Sequence, residues 1–137
     1  MGKKRKKLGD IFAIPLPNDT YAFGRLFKEN TLAIFKERSE NINEIPKQQN
    51  YDFFVAVYTD LLNDGVWSII GNIPFTNEED AWRPPTYIKD PFNGKYFIYE
   101  HAEIRPSSEE ECKGLEVTAV WDRHHLIDRL MGTKKWL

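Results

Sequence analysis

The feature that most constrains this chain is a series of short strand-like segments separated by turns, which extends from Leu8 to about Tyr99. In Tyr21–Phe27, side chains alternate between two faces with the period of two that a β-strand requires. A compact turn and a second apolar run then predict a hairpin over residues 20–36. Tyr51–Tyr58 is apolar at almost every position, which is typical of a strand buried on both faces. The chain is therefore predicted to be rich in β-structure.

The last third of the chain carries helical signals. Ser107 and Glu110 have the spacing of a capping box, which predicts the start of a short helix. Leu115–Trp121 alternates weakly and is interpreted as a strand. Asp122 and Gly132 are suited to cap the two ends of a C-terminal helix. We therefore predict an α+β fold, with a strongly bent antiparallel sheet or a partly open β-barrel, a short helix and a C-terminal helix.

The length of 137 residues suits one domain. Residues 1–7 hold five basic side chains and are interpreted as a disordered basic tail, and residues 8–137 as a single β-rich domain. Without those five, the 19 basic residues of the chain fall to 14, against 21 acidic residues. The body is therefore acidic although the whole chain has a net charge of only −2. Such a body repels nucleic acid and attracts basic proteins.

The cysteine content and the hydropathy of the chain bear on its compartment. Cys112 is the only cysteine, so the chain has no internal disulfide and suits a reducing environment. No apolar run has the length of a signal peptide or of a membrane span. We therefore expect a cytoplasmic protein that does not associate with a membrane.

The sequence contains no recognisable constellation for catalysis or metal binding. His124 and His125 are adjacent, so on a helix they point about 100° apart and seldom share one ion. Cys112 follows three glutamates, which favour the neutral thiol and disfavour a nucleophilic thiolate. The glycines form no phosphate-binding loop. We therefore expect no metal, no cofactor and no enzymatic activity.

Two alternative functions remain open at this stage. A small β-barrel that binds nucleic acid or peptides would use the basic tail together with the aromatic residues of Tyr21–Phe27. We do not expect nucleic-acid binding, because those aromatics share one strand face, which normally packs into a core. A hydrolase or lyase would instead draw its acid and base from aspartates near the ends of predicted elements, namely Asp10, Asp60, Asp64, Asp90 and Asp122.

The positive signal is for a protein interface. Acidic residues cluster in predicted loops, and one of these clusters adjoins a tryptophan and an arginine, two residue types enriched at binding hot spots. Acidic loops on a rigid scaffold can steer a basic partner to the surface. The candidate partner-binding residues are Glu37, Glu40, Glu44, Glu78, Glu79, Asp80, Trp82 and Arg83.

An ordered set of short motifs resembles the immunity protein 26 family. The set begins with Gly9–Leu16 and Tyr21–Arg25, and continues with Trp67–Asn72 and Pro84-Pro85. It ends with Ala119-Val120-Trp121 and Asp128-Arg129-Leu130, so the resemblance covers roughly residues 8–131. Asn72 stands where the family often has a histidine, so no function is carried over to that position.

The resemblance implies an immunity protein of a bacterial polymorphic toxin system. Such a protein would bind and neutralise a cognate toxin encoded beside it, and the family implies no particular contact residues. The acidic body suits a basic toxin domain such as a nuclease. We therefore expect a binding protein that occludes the active site of its toxin.

Overall fold

The computed structural model describes residues 6–132, which form two β-sheets with short helices. The helices are α1 (Thr59–Asn63), a 3₁₀ helix (Glu78–Ala81), α2 (Glu109–Cys112) and α3 (Arg123–Leu130). The strands are β1 (Asp10–Pro15), β2 (Tyr21–Phe27), β3 (Thr31–Ser39), β4 (Tyr51–Val57), β5 (Ser68–Asn72), β6 (Thr86–Lys89), β7 (Tyr96–Glu100), β8 (Glu103–Ser107), β9 (Glu116–Val117) and β10 (Val120–Trp121).

The larger sheet has six strands in the order β10-β4-β3-β2-β1-β5. Strands β1 to β4 are joined as antiparallel neighbours, and β5 lies antiparallel to β1, which confirms the predicted hairpin over residues 20–36. Strand β10 joins the other edge in parallel with β4. The register between β2 and β3 shifts close to Gly24, where an added Cβ would lie 3.2 Å from the Leu32 Cβ. A glycine therefore favours this close approach of two strands, because any larger residue would require Leu32 or Ile34 to shift.

The smaller sheet has four strands in the order β8-β7-β6-β9. It is antiparallel except that β9 runs parallel to β6. The predicted strand Leu115–Trp121 is divided, since β9 pairs with the smaller sheet and β10 with the larger one. The α+β class is confirmed, and within residues 6–132 the two sheets do not close into a barrel.

The larger sheet is covered on both faces. One face packs against the helices through a core that includes Phe12, Ile34, Trp67, Leu126 and Leu130. The other face carries a second buried group, Ile11, Ala13, Phe23 and Phe35, which is covered in part by Ile42 and Ile45 from the segment after β3. The periodicity of two puts alternate residues of each strand into different cores, so β1 and β2 are buried almost along their whole length and β3 is buried over its first five residues.

Arg25 is a buried cation in β2, with 4% of its surface exposed. Its guanidinium donates to the carbonyl oxygens of Ile73 (2.7 and 2.9 Å) and Pro74 (3.1 Å). It also donates to Gln49 Oε1 and Tyr51 Oη, both at 3.1 Å. These bonds satisfy a charge that would otherwise be costly to bury, and they join the segments before β4 and after β5 to the sheet.

A second buried polar group joins the start of β1 to the end of β5. The Asp10 carboxylate accepts hydrogen bonds from Asn72 Nδ2 (3.0 Å) and from the Lys7 backbone N–H (2.8 Å). Gly9 precedes it with φ +90°, and a Cβ there would lie 2.4 Å from the Ile73 carbonyl oxygen. Of the predicted basic tail, residues 1–5 lie outside the described part of the chain.

The short helices differ from the sequence prediction in detail. Ser108, and not Ser107, is the N-cap of α2, and its side chain accepts from the Glu111 N–H at 3.2 Å. Ser107 is instead the last residue of β8, where it pairs with Tyr96. Helix α1 was not predicted, because its five residues are too few to show a helical period. Within residues 6–132, no helix has both the length and the apolarity that crossing a bilayer requires.

Candidate interaction surface

Two hairpin turns with unusual backbone conformations lie side by side at one end of the molecule. In the β2–β3 turn, Glu29 and Asn30 have φ of 62° and 53°. In the β7–β8 turn, His101 and Ala102 have φ of 50° and 64°. Residues other than glycine and asparagine rarely adopt this left-handed backbone conformation. It costs of order 1–3 kcal/mol for each residue and often occurs at functional sites. The two turns therefore indicate a candidate functional site at this end of the molecule.

The 3₁₀ helix joins these turns through Trp82. The Lys28 backbone N–H donates to the Ala81 carbonyl oxygen at 2.9 Å, which places the 3₁₀ helix beside the first turn. The Trp82 ring stacks on the His101 ring with 4.8 Å between centroids and 10° between planes. The Lys28 ammonium lies 4.6 Å from the centroid of the same tryptophan. An aromatic ring that is half-buried and fixed by its neighbours is a pre-organised contact.

Acidic side chains border this tryptophan. Glu78 forms an ion pair with Lys28 at 3.0 Å, although 78% of the Glu78 side chain remains exposed. Glu79 and Asp80 follow in the first turn of the 3₁₀ helix and are exposed. The structure therefore brings the predicted residues 78–80 and Trp82 to one surface, as the sequence suggested.

Tyr99 and Arg83 complete this surface. The Tyr99 hydroxyl donates to Glu29 Oε2. This hydrogen bond is the main cause that raises the pKa of Tyr99 above its usual value, and partial desolvation of the hydroxyl is the second cause. Arg83 lies 5.4 Å from the Tyr99 ring centroid and has a long contact of 3.5 Å with Thr86 Oγ1. We name this region the Trp82 surface, and it comprises Lys28, Glu29, Glu78, Glu79, Asp80, Trp82, Arg83, Tyr99 and His101.

The other predicted acidic cluster lies elsewhere. Glu37 is in the outer half of β3, and Glu40 and Glu44 follow it, with Glu44 accepting from Ser39 Oγ at 3.1 Å. The nine residues of β3 rise about 3.3 Å each, so this cluster is roughly 25 Å from the turn that holds Lys28. The structure therefore does not bring the two acidic clusters together.

A cleft of about 310 Å³ lies between the two sheets, next to the Trp82 surface. Its charged lining residues are Asp52, Arg83, Glu116 and Arg129. Arg129 pairs with Glu116 at 2.6 Å and stacks over the Phe53 ring at 3.7 Å. The cleft therefore contains an arginine–carboxylate pair, which is suited to joining the sheets.

Four of the loop aspartates considered as an acid and a base have structural partners. Asp10 accepts from Asn72, Asp64 pairs with Arg123 at 2.5 Å, and Asp90 accepts from the Phe92 N–H at 2.8 Å. Asp122 is the N-cap of α3 as predicted, accepting from the His125 N–H at 3.0 Å. These contacts are the usual capping and turn roles of aspartate.

The structure differs from the sequence prediction at His124 and His125. Both imidazoles turn towards Asp122, whose Oδ1 lies 3.5 Å from His124 Nδ1 and 3.1 Å from His125 Nδ1. The two ring centroids are 4.6 Å apart, which is closer than the angular separation of adjacent helical positions suggests.

Several residues of the Trp82 surface were not identified from the sequence. Lys28 and Glu29 were predicted only as part of a turn, and Tyr99 only as part of a strand. His101 and Ala102 lack the Asn-Gly or Asp-Gly signature of a two-residue hairpin turn, so the second turn had no local signal. Their proximity to Trp82 depends on contacts between residues about twenty to seventy positions apart, such as the Tyr99–Glu29 bond.

Comparison with known proteins gives one match. Residues 7–98 match the family model described as immunity protein 26, which covers strands β1 to β6 and most of β7. Searches of curated proteins and of solved structures give no significant match. The match includes all of the strands β1 to β5 and the whole 3₁₀ helix, and it covers more than half of the chain. The chain therefore belongs to the immunity protein 26 family.

Proposed function

We propose that this protein binds a cognate toxin domain and neutralises it by occluding its active site. The observation that carries the proposal is the match of residues 7–98 to a family of immunity proteins. The toxin would be the product of a neighbouring gene in a bacterial polymorphic toxin system, and the binding would take place in the cytoplasm of the producing cell. The protein acts as a stoichiometric inhibitor and not as an enzyme.

Charge supports a basic toxin domain such as a nuclease. The body of the chain carries more acidic than basic residues, so it attracts a positively charged surface over several ångströms and accelerates association. A nuclease binds phosphates with basic side chains, and acidic side chains of an inhibitor can occupy the same positions. Occlusion then needs no contact with the reacting atoms.

The Trp82 surface is the proposed contact. Trp82 and Arg83 supply the residue types that dominate binding energy, and Glu78, Glu79 and Asp80 supply negative charge around them. The stacked His101 ring and the two strained turns fix the tryptophan before the partner arrives. The second acidic cluster, Glu37, Glu40 and Glu44, would steer the partner from the far end of the sheet.

A co-expression experiment tests the proposed function. The toxic domain encoded beside the gene is induced in a sensitive bacterium with and without this protein, and the complex is isolated by co-purification. Restored growth with a one-to-one complex is the expected result. Restored growth without a complex would show that the protein reverses the damage enzymatically, and the absence of both would contradict the proposal.

Matched charge reversals test the contact. One variant carries Glu78→Lys, Glu79→Lys and Asp80→Lys, and the control carries Glu37→Lys, Glu40→Lys and Glu44→Lys, so both change the net charge equally. We expect both to slow association, because steering depends on total charge. Only the first should also accelerate dissociation, by about ten-fold or more. Equal dissociation rates in the two variants would exclude the Trp82 surface as the contact.

A further inference from the structure

Three potential metal ligands converge at the start of α3. The carboxylate of Asp122 and the imidazoles of His124 and His125 each offer a donor atom, and these atoms lie within 4.8 Å of one another. No other group of three such side chains is this close within residues 6–132. The Trp82 surface and the family match up to residue 98 do not include these residues.

The local structure explains why the donors meet. Asp122 is the N-cap of α3, and the bond from the His125 N–H to its Oδ1 fixes the position of the carboxylate. The two histidines occupy the first turn of the helix, and their ring centroids are 4.6 Å apart with planes tilted by 49°. The backbone therefore holds the carboxylate between two side chains that can both reach it.

The spacing fits tetrahedral coordination by an ion that favours nitrogen and oxygen donors. Zinc binds imidazole nitrogen and carboxylate oxygen at about 2.0–2.2 Å, so two ligands of a tetrahedral site are about 3.3–3.6 Å apart. The Asp122 Oδ1 is 3.1 Å from one histidine Nδ1 and 3.5 Å from the other. The two histidine donors lie within 4.8 Å of each other, so a bound ion would draw these two rings together by side-chain rotation.

We propose that Asp122, His124 and His125 form a surface site for a divalent transition-metal ion of the zinc type. The ion can enter freely, since the side chains of His124 and His125 are 77% and 49% exposed. Three protein ligands leave a fourth position, which a water molecule or a donor of a bound protein fills. The neighbouring Arg123 is paired with Asp64, so part of its positive charge is already neutralised.

Titration with Zn²⁺ tests the site. Isothermal titration calorimetry uses the full, untagged chain with Cys112→Ser, which removes the only thiol ligand. We expect one ion per chain, with affinity weakened about ten-fold or more by His124→Ala, His125→Ala or Asp122→Asn. Replacing Zn²⁺ by Co²⁺ should give the intense visible absorption of a tetrahedral ion.

Two controls separate metal binding from helix capping. His101→Ala removes the remaining histidine and should leave the titration unchanged. Asp122→Asn keeps an N-cap, so its metal-free melting temperature should equal that of the parent while its affinity for Zn²⁺ falls. The proposal is overturned if no saturable binding occurs, if binding survives both histidine substitutions, or if it disappears with His101→Ala.

Discussion

The two sheets of this protein differ in how they are stabilised. In the larger sheet, β1, β2 and the first five residues of β3 are buried on both faces, and the residues with no exposed surface include Phe12, Phe23 and Phe35. In the smaller sheet, Ile98 is buried, and every other residue of β6 to β9 is partly or largely exposed. Burial of apolar surface therefore stabilises the first sheet far more than the second.

The smaller sheet is joined to the larger one mainly by polar and aromatic contacts. Examples are the Arg129–Glu116 ion pair, the Tyr99–Glu29 hydrogen bond and the Trp82–His101 stack. Such contacts contribute little free energy each but fix direction and distance. The larger sheet therefore supplies stability, while the smaller sheet shapes the proposed contact surface.

The largest expected effect is the loss of unfolding free energy when a side chain of the main core is truncated, compared with truncation of an exposed side chain in the smaller sheet. Phe12→Ala should lower the free energy of unfolding by about 3–5 kcal/mol, since it leaves a cavity in the main core. Ile104→Ala removes a side chain from β8 that is 59% exposed, and should cost less than about 0.5 kcal/mol. Urea unfolding measures both. Similar losses for the two variants would show that the sheets are equally important for stability.

The next effect concerns the buried charge of the larger sheet. Arg25→Met leaves the Ile73 and Pro74 carbonyl oxygens without their donor, which should cost about 2–4 kcal/mol in chemical unfolding. Arg105→Met provides the control in the smaller sheet, because that side chain is 53% exposed and its ion pairs with Glu100 and Glu111 are long. A loss below 1 kcal/mol for Arg25→Met would contradict its role in joining segments.

Two glycines with left-handed backbones give a smaller contrast. Gly9→Ala should destabilise by about 2–3 kcal/mol, because its Cβ would collide with the Ile73 carbonyl in addition to the backbone strain. At Gly65, no atom lies within 4 Å of an added Cβ, so Gly65→Ala should cost only the backbone strain of about 1 kcal/mol. Thermal unfolding of the two variants separates collision from strain, and equal shifts would show that the collision is relieved.

A substitution in the smaller sheet should stabilise the protein. Ala102→Gly relieves the left-handed conformation of the β7–β8 turn, and should raise the free energy of unfolding by about 1 kcal/mol. Ala119→Gly, at a position without positive φ, should instead lower it by about 0.5–1 kcal/mol. Differential scanning calorimetry checks both signs, and a loss of stability in Ala102→Gly would show that the turn is unstrained.

The smallest effect reports on the bond between the two turns. The pKa of Tyr99 is raised chiefly by its hydrogen bond to Glu29, so Glu29→Gln should move the pKa back towards the usual value near 10. Because the folded pKa is raised, the stability linked to Tyr99 is present below about pH 10 and is lost as the pH rises through the folded value. Ultraviolet titration, with Tyr99→Phe to identify the signal, measures the shift. An unchanged pKa in Glu29→Gln would mean that this hydrogen bond is absent in solution.

The sequence predicted the larger sheet better than the smaller one, for a physical reason. Tyr21–Phe27 is buried almost throughout, and Tyr51–Val57 is apolar at every position except Asp52, although only its last three residues are buried. The periodicity and apolar character of these strands are therefore visible in the sequence itself. The strands β6 to β9 are short and half-exposed, and their pairing depends on contacts that no local pattern encodes. For the same reason, Leu115–Trp121 was predicted as one strand although it serves two sheets.

The candidate site was only partly predictable. The acidic residues 78–80 and Trp82 could be recognised from the sequence, because these charged and aromatic residues lie close together along the chain. Lys28, Tyr99 and His101 reach the same surface only after the strands pair, so their role required the fold. The convergence of Asp122, His124 and His125 required side-chain torsions, which spacing alone does not determine.

The segment that supplies β9 and β10 has a consequence for synthesis of the protein. Glu116 and Val117 form an edge of one sheet, Val120 and Trp121 form an edge of the other, and α3 then adds Leu126 and Leu130 to the main core. All of these residues are synthesised after the strands that they join or cover. The nascent chain therefore exposes an apolar sheet face and two open strand edges until this segment has been synthesised. The main core of the nascent chain is therefore complete only after α3 has folded onto it.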